Sequence, residues 1–153
     1  MASKCLKAFN PFCLKGWSSY LNEYLTTALR MKAEEVREAL KPIYDELEKG
    51  IAERNMDVIF KHLHTDCVVV QKNKEVSYGK EQIATKVKKF LEEHQPKNIK
   101  RSNATYCGCE CCICVSVEVG FDTPKGPAKV VEHHIWKKQS DEWKLYHVEY
   151  EMH

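Results

Sequence analysis

From Val130 to Met152 the chain reads VVEHHIWKKQSDEWKLYHVEYEM, two runs rich in Val, Ile, Trp and Tyr separated by a polar Gln-Ser-Asp-Glu turn. This stretch most limits the possible folds. Such runs suit two antiparallel strands, and the upstream segments must pack on the resulting hairpin. Pairing Lys138 with Trp143 sets Trp136 against Leu145, His134 against His147 and Glu132 against Glu149, and directly opposed residues share one face of a sheet. That face is apolar near the turn and ionisable beyond it, which suggests the wall of a pocket. The opposite face carries Val131, Ile135, Tyr146, Val148 and Tyr150, so periodicity leaves open which of the two meets the core. If it is the second, the His and Glu side chains are solvated.

A chain of 153 residues is long enough for one domain that buries its own core without metal or disulfide support. A net charge of +2, with acidic and basic residues interspersed, argues against nucleic-acid binding through a basic face. No run reaches the roughly 18 apolar residues of a membrane-spanning helix, and the N-terminus lacks a secretory-type apolar core. The expected compartment is the cytoplasm, where the eight cysteines would be reduced thiols.

Residues 1–31 are read as an N-terminal helical extension, because Trp17, Tyr20, Leu21, Tyr24 and Leu25 fit one helical face. Packing on the chain's own domain is expected there in preference to membrane contact. Residues 32–153 form the main domain. Its strongest helix runs from Lys32 to Arg54, with Val36, Leu40, Ile43, Tyr44, Leu47 and Ile51 along one side. Pro42 inside it predicts a kink or a restart. Tyr44 carries its hydroxyl inward on that stripe, where a buried phenol usually finds a polar partner. Asn55 or Asp57 can cap a short second helix through about His64, followed by strands at Cys67–Gln71 and Glu75–Tyr78. Lys80–His94 is the next helix, stopped by Gln95-Pro96. Asn98–Cys107 reads as a polar strand, and Gly108–Phe121 as one long strand with Ile113, Val115, Val117, Val119 and Phe121 on its apolar face. The succession predicts an α+β layout with helices on one side of a mainly antiparallel sheet.

Three patterns in this succession resemble the nuclear transport factor 2-like superfamily, in its SnoaL-like and ketosteroid-isomerase-like branch. They are the helix followed by Arg54-Asn55-Met56-Asp57 and a short helix ending in His64-Thr65-Asp66-Cys67-Val68-Val69-Val70, the helix start Tyr78-Gly79-Lys80-Glu81-Gln82-Ile83, and the terminal EHHIWKKQSDEWKLYHVEYEM. The last is also similar to the end of the association domain of calcium/calmodulin-dependent kinase II. The resemblance implies a cone-shaped, cystatin-like roll: a curved sheet wrapped around three helices, paired as a homodimer through its outer face. It also implies that Glu132, His134 and Trp136 point inward, with His134 where the kinase association domain places an Arg. Imidazole is not a permanent cation, so carboxylate capture does not carry over with the position.

The candidate ligand-binding set is therefore Tyr44, Glu132, His134, Trp136, His147 and Glu149. Imidazoles and carboxylates held together in a partly dry pocket can hydrogen-bond a small organic ligand between the walls of Tyr44 and Trp136, or exchange protons near neutral pH. The expected function is small-molecule binding. An isomerase or dehydratase-type proton-transfer enzyme and a homo-oligomerisation module are the alternatives, and no catalytic residue is assigned. No metal or cofactor is expected. The run Cys107-Gly108-Cys109-Glu110-Cys111-Cys112-Ile113-Cys114 suits a soft ion by composition, but on one continuous strand its sulfurs point to both faces and cannot converge. His62, His64 and His94 read as exposed helix-end residues without a role.

Overall fold

The apolar stripe from Val36 to Leu47 forms helix α1 (Ala33–Glu53), which buries Val36, Leu40, Tyr44 and Leu47. The structure is a computed structural model in which residues 30–152 are described, so the helix read at Trp17–Leu25 lies outside the described residues. Helix α1 runs through Pro42 without a restart. Pro42 is exposed, while Leu40 and Tyr44 on either side of it are buried. The carbonyl that loses its donor can be hydrated while the core contacts hold the helix together.

Arg54 closes α1 in the left-handed region, and Asn55 caps α2 (Met56–Lys61) by accepting from the Val58 amide at 3.3 Å. Strands β2 (Leu63–Gln71) and β3 (Glu75–Tyr78) follow, then α3 (Gly79–His94) with Ile83 and Leu91 buried. His62 is buried rather than exposed. Its ring lies 2.7 Å from Glu46 on α1, and its carbonyl accepts from the Leu145 amide at 2.8 Å. It joins the first helix to the last strand.

The second half of the chain is four long strands: β4 (Lys97–Cys109), β5 (Cys112–Thr123), β6 (Gly126–Gln139) and β7 (Glu142–Met152). With β1 (Arg30–Met31) they build a seven-stranded sheet in the order β1-β4-β5-β6-β7-β2-β3, antiparallel except for the β2–β7 pair. Arg30 and Met31 are thus paired strand residues, opposite Cys109 and Gly108. The helices cover one face, as the α+β reading expected. Alternate residues Ile113, Val115, Val117, Val119 and Phe121 of β5 supply the centre of the core. Strand β4 carries two register shifts, at Lys97/Lys100 and Ser102/Thr105, each containing an Asn with positive φ (Asn98 and Asn103). These are bulges, which bend a strand and increase its twist.

The single strand expected over Gly108–Phe121 is instead two strands meeting at a turn at Glu110-Cys111, with Cys109 opposite Cys112 and Cys107 opposite Cys114. Alternation along one strand therefore misplaced the sulfurs: Cys107, Cys109, Cys112 and Cys114 share the outer face, because opposed residues in an antiparallel pair point the same way. Cys67, Cys107, Cys109, Cys112 and Cys114 are free thiols, whereas Cys111 is disulfide-bonded, contrary to the expectation of reduced cysteines throughout.

Gly108 faces inward where β4 meets α1. A Cβ there would lie 2.9 Å from Ile113 Cγ1 and 3.1 Å from Val36 Cγ2, both on fully buried side chains. Gly108→Ala gains a little from a stiffer unfolded chain, roughly 0.4–1 kcal/mol, but overpacking costs about 1–3 kcal/mol and wins where neighbours cannot retreat. Urea denaturation should show net destabilisation. A variant as stable as the parent would mean that Val36 and Ile113 shift freely.

Candidate functional site

Strand β6 presents every second side chain to the helices, which places Val130, Glu132, His134 and Trp136 on the inner face opposite Val119, Val117, Val115 and Ile113 of β5. Trp136 is 0% exposed and His134 is 5% exposed. Helix α1 crosses above them and lowers Tyr44 into contact. Tyr44 Oη lies 2.7 Å from His134 Nδ1, and Trp136 Nε1–H donates to the same hydroxyl at 3.2 Å. His134 Nε2 lies 2.8 Å from Glu132 Oε2. The three rings pack edge to face or tilted, with Tyr44 and Trp136 centroids 5.4 Å apart and 84° between their planes.

The donors and acceptors assign the protons. Trp136 can only donate, so Tyr44 Oη accepts from it, and the Glu132 carboxylate can only accept, so a neutral His134 gives it the Nε2 hydrogen and takes the Tyr44 proton on Nδ1. All three buried groups are satisfied in one chain, Trp136 to Tyr44 to His134 to Glu132. It ends on a carboxylate whose side chain is still 26% exposed.

The surroundings fix the charges. Burial, with smaller influences on both sides, pushes the Tyr44 phenol well above its ordinary value, so it stays a neutral donor. Burial is also the largest single influence on Glu132 and raises it, but the hydrogen bond from His134, with the electrostatic pull of His134 and of the Arg101 guanidinium, carries it below the usual carboxylate value. Because that value is depressed in the folded chain, ionised Glu132 contributes stability above the unfolded carboxylate value of roughly 4.3, and the contribution disappears as pH falls through the lower folded value. Glu132→Gln is therefore expected to destabilise at pH 7 and to matter less at an acidic pH below the unfolded carboxylate value, as read by urea melts at both values. An equal effect at both would show that Glu132 acts by shape alone.

Arg101 of β4 is a site residue that sequence reasoning missed. It stands opposite inward-facing Val119, ion-pairs through Nη1 with Glu48 one turn beyond Tyr44, and stacks its guanidinium 4.3 Å above the Tyr44 ring. Its Nε is buried without a hydrogen-bond partner among the described residues. Local sequence gave no clear signal, since Arg101 sits among Lys100, Ser102 and Asn103 in a strand that reads as polar.

The six expected residues do not all converge. The turn has the predicted pairing, Lys138 with Trp143 and Trp136 with Leu145, but the register then shifts, so that Ile135 faces His147, His133 faces Glu149 and Glu132 faces Tyr150. Tyr146 is the extra residue of a bulge. The predicted pairs His134–His147 and Glu132–Glu149 are corrected accordingly: His147 and Glu149 lie on the outer face, and Val148 and Tyr150 take the inner positions beside His134 and Glu132. The bulge lets β7 bury Leu145 and also Val148, Tyr150 and Met152, which strict alternation would divide between two faces. A signal was present, because the apolar phase changes from odd to even positions between Leu145 and Val148. Burial, with the charges of Glu75 and Glu132, pushes the Tyr150 phenol up to about 12, so it too is a neutral donor.

The arrangement of helices inside a rolled, open sheet defines a class of scaffold, and solved structures share that fold. A cystatin-like protein of unknown function from Nostoc punctiforme superposes with a TM-score of 0.68 at 12% identity, covering 76% of this chain and 90% of that one. A provisionally named dehydratase of the NTF2-like family from Streptomyces avermitilis gives 0.66 at 9% identity, covering 78% and 97%. A provisionally named ketosteroid isomerase from Shewanella frigidimarina gives 0.64 at 13% identity, covering 73% and 94%. No protein-family model matches the sequence, and no curated protein matches it. The chain has the cystatin-like fold of the nuclear transport factor 2-like proteins, the fold that the three sequence patterns in their order implied. Fold alone does not transfer a reaction. Among the described residues no helix is long and apolar enough to cross a membrane, and no group of three or more His, Cys, Asp or Glu side chains is placed to hold a metal ion.

Proposed function

We propose that this protein is a small-molecule-binding domain whose ligand meets Glu132 inside the cone. The observation that carries the reading is the satisfied chain from Trp136 through Tyr44 and His134, which holds one carboxylate ionised and partly exposed on an otherwise buried inner face. An ionised carboxylate only accepts hydrogen bonds, so the ligand is expected to bring a hydroxyl or ammonium donor to it. Arg101 Nε–H is a further unspent donor beside Tyr44. Tyr44, Trp136, Val148 and Tyr150 supply the apolar surround of such a site.

The same relay favours a second reading, proton transfer of the isomerase or dehydratase kind, which two of the structural neighbours carry in their provisional names. Binding is preferred because a general base works best with a value near the operating pH, and Glu132 is shifted the other way. The two separate experimentally. Native mass spectrometry of the purified protein, followed by extraction of small molecules, should show a retained compound that Glu132→Gln holds at least tenfold more weakly. If nothing is retained, while the protein catalyses deuterium exchange at the α-carbon of a simple ketone, the binding reading fails and proton transfer replaces it.

The outer face of the sheet is proposed to pair two copies of the chain. Val76 and Tyr78 of β3 are large apolar side chains left 45% and 62% exposed on that face. Sedimentation of the parent as a dimer and of Tyr78→Asp as a monomer would support this use, and a monomeric parent would dismiss it.

A further inference from the structure

We infer that Cys107 and Cys114 form an oxidisable dithiol on the outer face of the sheet, converted by hydrogen peroxide to a cross-strand disulfide. The pair follows from the β4–β5 register, in which the two residues are directly opposed on the same face. Opposed residues have Cβ atoms roughly 4.5–5.5 Å apart, close to what a disulfide needs after a small adjustment. Both are free thiols and only partly buried. Cys112 shares their face and its sulfur is also near that of Cys114, but residues two apart on one extended strand have Cα atoms roughly 6.4–6.8 Å apart, at the far limit of disulfide geometry. Cys109 is opposed to Cys112 but is buried, and its Sγ lies 3.3 Å from Cys111 Sγ.

The environment divides the roles. Cys107 is held down to about 6, chiefly because Cys114 donates a hydrogen bond to it, with the Arg30 guanidinium adding to the effect and burial opposing it. Cys114, whose sulfur faces both Cys107 and Cys112, is pushed up and keeps its proton. A thiolate beside a protonated thiol is the arrangement of an attacking and a resolving cysteine. Cys107 sulfur attacks one peroxide oxygen, the O–O bond breaks, and the departing hydroxide leaves as water after taking a proton. Cys107 becomes a sulfenic acid. Cys114 sulfur then attacks Cys107 sulfur, the S–O bond breaks, and the released hydroxide leaves with the Cys114 proton as a second water. Two thiols are oxidised by two electrons, and one peroxide is reduced to two waters.

The site lies on β4 and β5, separated by β6 and β7 from the apolar residues of β2 and β3, so it does not depend on the proposed ligand site or on pairing of two chains. The test is differential alkylation of the full chain, before and after equimolar hydrogen peroxide, with fragmentation mass spectrometry to place each label. Cys107 and Cys114 are expected to lose reactivity together and to recover it with reduced glutathione, while Cys67 stays unchanged. In Cys107→Ser, peroxide should consume the Cys114 thiol at least tenfold more slowly. In Cys114→Ser, Cys107 should accumulate as a sulfenic acid trapped by dimedone, and Cys112→Ser should leave the bridge intact. The inference is overturned if the parent protein links Cys109 to Cys112 instead, if Cys107 and Cys114 stay reactive, or if Cys114 in Cys107→Ser is consumed at the parental rate.

Discussion

Trp136→Ala is expected to remove about 3–5 kcal/mol of stability, the range for truncating a large aromatic side chain in a packed core. Trp136 is the largest fully buried side chain among the described residues. It sits between Ile113 and Leu145, its partners on β5 and β7, and meets the edge of the Tyr44 ring. The loss is a large part of the roughly 5–15 kcal/mol by which domains are stable. Trp136→Phe keeps most of the volume and gives up the N–H, so it should cost less. Urea denaturation followed by circular dichroism reads both, and a Trp136→Ala loss under 1 kcal/mol would mean that the core closes around the void.

Tyr44→Phe should be nearly as damaging, although it deletes one atom and leaves the packing intact. That oxygen accepts from Trp136 and donates to His134, and without it two buried polar groups lose their partners. Leaving a buried group unsatisfied costs about 1–3 kcal/mol each, so a total of roughly 2–6 kcal/mol is expected. The energy belongs to the network. A double-mutant cycle of Tyr44→Phe with His134→Ala should show coupling of about 0.5–3 kcal/mol. Additive effects would dissolve the relay on which the proposed binding site rests.

These two residues also show what can be read from a chain. Tyr44 stands on an apolar stripe with helical spacing and could be placed inward from that alone, whereas the alternation around Trp136 fixed only which residues share its face, and the family resemblance pointed that face inward. Their meeting could be guessed only as a phenol in need of a polar neighbour. Arg101 shows the opposite case: a cation in a polar strand is solvated by default, and only its place beside Tyr44 and Glu48 makes it part of an interior. The cysteines show a third. Gly108–Phe121 read as one strand from its alternation, yet the chain reverses at Glu110-Cys111, and that turn moves sulfurs from two faces to one.

Sequence by itself determined the helices of α1 and α3, the alternation that puts Glu132, His134 and Trp136 on one face of β6, the terminal turn and the α+β class, because periods of 3.6 and 2 are properties of neighbouring residues. Tertiary structure decided the bulge at Tyr146 that sends His147 and Glu149 outward, the entry of Arg101 into the site and the gathering of the cysteines on one face. Each of these depends on which distant strand lies alongside, and register is settled by total burial across the sheet rather than by the local pattern of any one strand.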